Sequence, residues 1–358
     1  MVYREVIKAE LEENSLLIIG NGFDLAHDLE TGYGDFLDQL EYYSEFYKYI
    51  KGEELSNFSI YEKLNSGVLL KYLKNTRDQN GWIDFENEIR NIIIAVSEFS
   101  SYLTRKVDVY KKKEYYFLID NEKSKLPLFL LYVVENKQYF LDEYLINDKW
   151  TKKDLEKLYR KIHDEIINFI RLFRCYISWV NKFFMNQVQP KNIFENINIT
   201  KILNFNYTDT FRKSYSNNLI DKDICWVHGR ILDDGKGNIV MGSGSDFYDE
   251  KYEYFLDLFK FYQKYKYKTD MQYLKWAELN KENKIFNEIH IFGHSLDTTD
   301  ADILKPFLES NSNIFIYCRN NQERYKFEKN ILAILGKDLF LKKLRGEDKN
   351  IEFVYIEE

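Results

Sequence analysis

Histidines, carboxylates and glycine turns stand just after short apolar runs in this chain. "LLIIGNGFD" ends one run at Gly20 and Gly22, with Asn21, Phe23 and Asp24 in the turn. "ILNFNYTDT" ends a second and brings Asn206, Thr208 and Asp209. "CWVHGR" ends a third with His228, and "IHIFGHSLDTTD" a fourth with Gly293, His294, Ser295 and Asp297. A histidine titrates near neutrality and can take a proton there. An asparagine amide both donates and accepts hydrogen bonds. Glycines after a strand let backbone N–H groups face an anion. These residue types suit an anionic ligand and one proton transfer.

Each also has a plainer use. Gly20-x-Gly22 lacks the third glycine of the dinucleotide fingerprint, because Leu25 stands there. Asp24 suits a helix cap, His27 a packed or surface histidine, and Asn206 a partner for its own strand-end backbone. His228 before Gly229 suits a turn, and Ser295 or Asp297 a cap. In "GWIDFENEI", Asp84 and Glu86 complement the dipole of a helix start. His290 and His294 have HxxxH spacing, but on a strand and its exit they stand roughly 13 Å apart. No structural metal is expected.

These residues need a scaffold that brings them together. The apolar runs 16–19, 202–205, 225–227, 289–292 and 314–318 read as strands, with 351–355 as a sixth candidate. They are mostly apolar rather than alternating, as strands covered on both faces are. Helical stretches between the later runs favour a parallel α/β sheet. In such a sheet all carboxyl ends share one edge, and ligands bind outside it. About 180 residues of helical character separate the first two runs. The clearest helix is 153–184, with Leu158, Ile162, Ile166, Phe169 and Phe173 at spacings of three or four. Stretches 36–50, 85–99 and 248–280 read as helical too.

The bulk numbers agree. A chain of 358 residues suggests two domains or one with a large insertion. The expected division is 1–35 plus 199–358 for the sheet and 36–198 for a helical insertion. A net charge of −7 disfavours general nucleic-acid binding, and the basic run 111–116, "KKKEYY", reads as a solvated face. Three scattered cysteines form no CxxC pair, which argues against a zinc ribbon or disulfide framework. No run approaches the roughly 20 apolar residues of a membrane span. The amino-terminal segment has no signal-like apolar core, so the expected location is the cytoplasm.

"IIGNGFDLAHDLETGYGDFL", "WIDFENEI", "NFNYTDTF", "VHG" and "FGHSLDTTDADIL", in this order, resemble the bacteriophage abortive-infection AbiH family. Asp28 is a departure, since the family often has glycine there. A more distant resemblance is to sirtuin-like NAD-binding domains, including phage-defence NADases. It implies a Rossmann-like (sirtuin-like) parallel sheet flanked by helices, with the large helical insertion between its first and second strands. It places Asn206 on the nicotinamide ribose or the water and makes His228 the base. Gly20 and Gly22 would face the pyrophosphate, and Gly293 and Ser295 would line the cofactor. Asn21, Phe23, Asp24, Thr208, Asp209, His294 and Asp297 complete the expected binding turns. Thr208 stands where the sirtuin-like pattern has an acidic residue, and the sirtuin zinc cysteines are absent, which argues against deacylation.

The resemblance thus implies an anti-phage protein that binds and hydrolyses NAD, triggered by a phage-derived signal. The helical insertion is the candidate sensor or oligomerisation element. A non-catalytic nucleotide-sensing module is the first alternative. A glycosidase or nuclease using Asp24, Glu86, Asp297 and Asp300, with or without Mg²⁺, is the second.

Overall fold

The computed structural model describes residues 14–77, 84–106, 127–135, 152–194, 197–215, 219–232, 235–244, 248–346 and 348–356. The basic run 111–116 and residues 81–83 of "GWIDF" lie outside them. The chain divides into two compact units. A sheet unit comprises Met1–Thr31, Ile177–Val240 and Lys264–Glu358, and a helical unit comprises Gly32–Tyr176 and Met241–Gln263.

Six strands form one sheet: β1 (Ser15–Ile19), β2 (Ile199–Asn204), β3 (Ile224–Trp226), β4 (Glu288–Phe292), β5 (Asn313–Cys318) and β6 (Ile351–Tyr355). Each apolar run read as a strand is one, to within three residues at either end. Every pairing is parallel, in the order β3-β2-β1-β4-β5-β6. This is the doubly wound order of dinucleotide-binding folds, so the sheet is Rossmann-like. The strands are mostly apolar because both faces of the sheet are covered. Leu16, Ile18, Leu203 and Ile291 pack on one side with Trp276, Ile303 and Phe307. Leu17, Ile19 and Ile202 pack on the other with Phe23, Phe194 and Phe211.

In the helical unit, the long helix Lys152–Phe183 buries Leu158, Ile162, Ile166, Phe169 and Phe173, as its periodicity requires. Phe36 and Phe85 meet Phe169 with ring centroids 5.2 and 4.0 Å apart. The stretch 36–50 is not one helix but two, Tyr33–Gln39 and Glu45–Gly52. Tyr43 turns with φ 75°, and Ser44 caps the second helix by accepting the Tyr47 N–H. The stretch 248–280 is also broken, into Glu250–Leu258, Lys260–Tyr267 and Gln272–Asn283.

Asp84 caps the helix Phe85–Lys106, its carboxylate accepting the Asn87 N–H at 3.1 Å. Glu86 lies in the first turn as expected, but its carboxylate also stands 2.6 Å from the buried Lys260 ammonium. Among the described residues no helix is long and apolar enough to cross a membrane.

Candidate functional site

β1 and β4 are neighbours at the point where the strand order reverses, and the turns after them touch backbone to backbone. The Gly20 N–H donates to Phe292 O at 3.3 Å, and the Gly22 N–H to Gly293 O at 2.8 Å. The Phe23 N–H donates to Gly20 O at 2.8 Å. A Cβ on Gly293 would lie 2.2 Å from Phe23 N, and one on Gly22 would lie 2.8 Å from Gly293 Cα. Gly293 also has φ 66°. Close approach and backbone conformation therefore both demand glycine there. The Gly22 and Phe23 amides are engaged within this contact.

Behind the first turn, Asp24 gathers the β2 exit. Its Oδ1 accepts from Asn206 Nδ2 at 3.2 Å and Thr210 Oγ1 at 2.7 Å. Its Oδ2 accepts from Thr208 Oγ1 at 2.6 Å and Thr31 Oγ1 at 3.1 Å. Asn21 Nδ2 donates in turn to Thr31 Oγ1 at 2.8 Å. Asp24 is 1 % exposed. Burial pushes its carboxyl up to about 6, and the four hydrogen bonds, Thr208's first, oppose that shift. The carboxylate makes no cap bond to its own helix Asn21–Ala26, so the capping reading of Asp24 gives way to a tertiary one. Asn206 likewise reaches across to Asp24. Its backbone N–H is held by Asn204 Oδ1 at 2.8 Å.

The histidines occupy a second cluster. His228 Nε2 stands 3.0 Å from Asp300 Oδ1, and His294 Nε2 stands 3.8 Å from Asp300 Oδ2. All three side chains are buried. A carboxylate only accepts, so neutral His228 carries its proton on Nε2 and its basic lone pair on Nδ1. His294 Nδ1 accepts the Leu296 N–H at 2.9 Å, which places its proton on Nε2, toward Asp300. Leu296 holds that amide in place at φ 56° while fully buried. For a bulky residue this conformation costs of order 1–3 kcal/mol, and such strain gathers at functional sites. Phe205 lies edge-on to both imidazoles, with centroids 5.3 Å from His228 and 4.2 Å from His294. Phe205 and Asn206 are consecutive, so the β2 exit serves both clusters.

The other expected site residues serve elsewhere. Phe23 is core, with its ring 4.4 Å from His27 and 5.9 Å from Phe292. His27 is packed as the plain reading had it, with Nδ1 2.7 Å from Phe23 O and Nε2 2.8 Å from Tyr215 Oη. Asp209 accepts from Arg212 Nε at 2.8 Å. Asp297 caps a short 3₁₀ turn by accepting the Thr299 N–H. Ser295 is exposed, and its carbonyl accepts from Asn330. His290 is held on β4 by Tyr317 and Glu288, while His294 lies beyond the strand end.

Thr31 and Thr210 went unnoticed in the sequence, and Asp300 was noticed only as a loose carboxylate. The threonines in "NYTDT", alternating after a strand, were the available signal. Asp300 sits where a cap belongs, which hides its reach to His228.

The family model described as bacteriophage abortive infection AbiH matches residues 16–317. No curated protein and no solved structure gives a significant match. The family suggests a role in abortive-infection defence against phage. Its match runs from β1 into β5 and takes in both polar clusters; the chain belongs to the bacteriophage abortive-infection AbiH family.

Proposed function

We propose that this AbiH protein binds NAD, or a relative carrying the same ADP-ribose, and hydrolyses the bond between nicotinamide and ribose. One observation carries the reading. His228 is a buried imidazole paired with a buried carboxylate, after β3 of a sheet with the dinucleotide-fold strand order. The sirtuin-like positions of Asn206, His228 and Ser295 support it.

Nicotinamide in NAD is a cationic leaving group. When the C1′–N bond breaks, its electron pair departs with nicotinamide and the ribose gains oxocarbenium character. Water adds at C1′ and loses a proton. His228 takes that proton at Nδ1, and Asp300, holding the Nε2–H, stabilises the imidazolium. Asn206 orients a ribose hydroxyl or the water. The glycines of the turns after β1 and β4, with the exposed Ser295, line the nucleotide. NAD loss in the cytoplasm stops host and phage together, so the enzyme stays silent until a phage-derived signal acts, with the helical unit as candidate sensor.

The carboxylate alternative has less support. Asp297 is a cap, Asp24 has both oxygens occupied by donors, Glu86 is paired with Lys260, and Asp300 is held against His228.

The test is nicotinamide release by purified protein, with and without Mg²⁺, beside His228→Ala. Turnover in the variant is expected to fall about 10²–10⁴-fold, the weight of a general base, with NAD still bound. Binding without turnover in the wild type would favour the sensing module. Near-normal turnover in His228→Ala would remove the proposed base.

A further inference from the structure

We propose that Asp24 is the positioning residue of Asn206, holding its amide nitrogen so that Asn206 Oδ1 is the atom offered to the ribose hydroxyl or the water. This deepens the NAD-cleavage reading and rests on it.

The orientation follows from hydrogen-bond chemistry. An ionised carboxylate has no proton to give. The end of the Asn206 amide that faces Asp24 at 3.2 Å is therefore the NH₂, and the carbonyl oxygen points the other way. The backbone is fixed as well: Asn204 Oδ1 holds the Asn206 N–H, and Asn204 Nδ2 donates to Thr208 O at 3.2 Å. Neither end of Asn206 can turn without breaking a buried bond.

Asp24 is built for this role rather than for proton transfer to a ligand. Thr31, Asn206, Thr208 and Thr210 face it from the segment after its own helix and from the β2 exit, and none of them carries a charge. The anion is held by dipoles alone, in a site where burial favours the protonated form. The hydroxyl of Thr31, Thr208 or Thr210 can rotate to accept the proton of a protonated Asp24, because a hydroxyl accepts as well as donates. The Asn206 NH₂ can only donate, and protonation replaces its charge-assisted bond to Asp24 by a weaker neutral one. The hold on the Asn206 amide then loosens.

The side-chain amide of Asn206 reports this directly. In protein labelled with ¹⁵N-asparagine, the Asn206 signal is identified by its loss in Asn206→Ala and followed from pH 4.5 to 7.5. It is expected to titrate with a midpoint near 6 in the wild type. Thr31→Val removes a donor to the charged form, so the midpoint should move up while Asn206 itself is untouched. Asp24→Asn should abolish the titration and lower kcat for nicotinamide release by tenfold or more. The acidic limb of wild-type kcat/KM should follow the amide midpoint and shift with it in Thr31→Val. An Asn206 signal that does not titrate, or one that Thr31→Val leaves unmoved, overturns the proposal, even if Asp24→Asn fails to fold. If the amide follows Asp24 but the wild type releases no nicotinamide under any condition, the positioning stands and the NAD reading falls.

Discussion

Gly293→Ala is the most informative single change in the sheet unit. Alanine at φ 66° carries the left-handed penalty of ~1–2 kcal/mol. Its Cβ would also lie 2.2 Å from Phe23 N and 2.4 Å from Gly22 C, so the two turns must part. Parting breaks the 2.8 Å bond from Gly22 N–H to Gly293 O, which leaves polar groups unsatisfied at about 1–3 kcal/mol. The repacking around the new methyl adds about 1–3 kcal/mol. The expected loss is about 3–8 kcal/mol. Gly336→Ala is the control. Gly336 has φ 75°, yet a Cβ there meets nothing within 4 Å, so only conformational strain of about 1–3 kcal/mol applies. Strain is common to both variants, so the contact terms of about 2–6 kcal/mol should separate their calorimetric melting temperatures by about 4–24 °C, taking 2–4 °C per kcal/mol. Equal losses in the two would refute the idea that backbone contact between the turns holds this edge together.

Three further outcomes are expected. Asp24 has a folded-state pKa raised from 3.8 to about 6. Its contribution is therefore fully present below 3.8 and lost as pH rises through 6. The stability of wild type relative to Asp24→Asn should fall by about 3 kcal/mol over that window, and a difference that rises with pH in paired denaturation curves would contradict this. Asp28 holds φ 60° at an exposed turn. Asp28→Gly should change stability by no more than about 1 kcal/mol, while Asp28→Val should cost about 1–2 kcal/mol, both read from melting temperature. Glu86→Ala should cost about 3–5 kcal/mol by breaking a buried pair with Lys260. A loss near 1 kcal/mol in urea denaturation would return Glu86 to a helix-dipole role.

The strands were legible because burial on both faces makes their central residues apolar, as Leu16 to Ile19 are. The break between Gln39 and Glu45 was not. Phe36, Leu37, Leu40, Tyr47 and Ile50 keep a helical rhythm across it, and only Ser44 with its cap marks the restart. For the candidate site, the sequence located the turns but not their partnerships. Asp24 looks like a cap because it lies in the turn after a strand, whereas most of its partners come from residues 206–210. Asp300 looks like a cap for the same local reason, and His228 is reached only through the fold. Residue types announce what a side chain can do. Long-range pairing decides what it does.

The placement of β1 has a consequence for how the chain is made. Ser15–Ile19 is a central strand, paired with Ile199–Asn204 on one side and Glu288–Phe292 on the other. It leaves the ribosome before either partner, and the nearer one follows about 180 residues later, about 10–40 s at ordinary elongation rates. Throughout that interval four residues that end with essentially no exposure, Leu16 to Ile19, have no sheet to join. The helices between Tyr33 and Thr76 and the helix Phe85–Lys106 are built from local contacts and form sooner than parallel pairing can. Arrested nascent chains cut with protease should accordingly show protection of 33–76 and 85–106 before protection of 14–31. The strand at the middle of the finished sheet thus waits unpaired, open to chaperones and to other unfolded copies, until its partners are made.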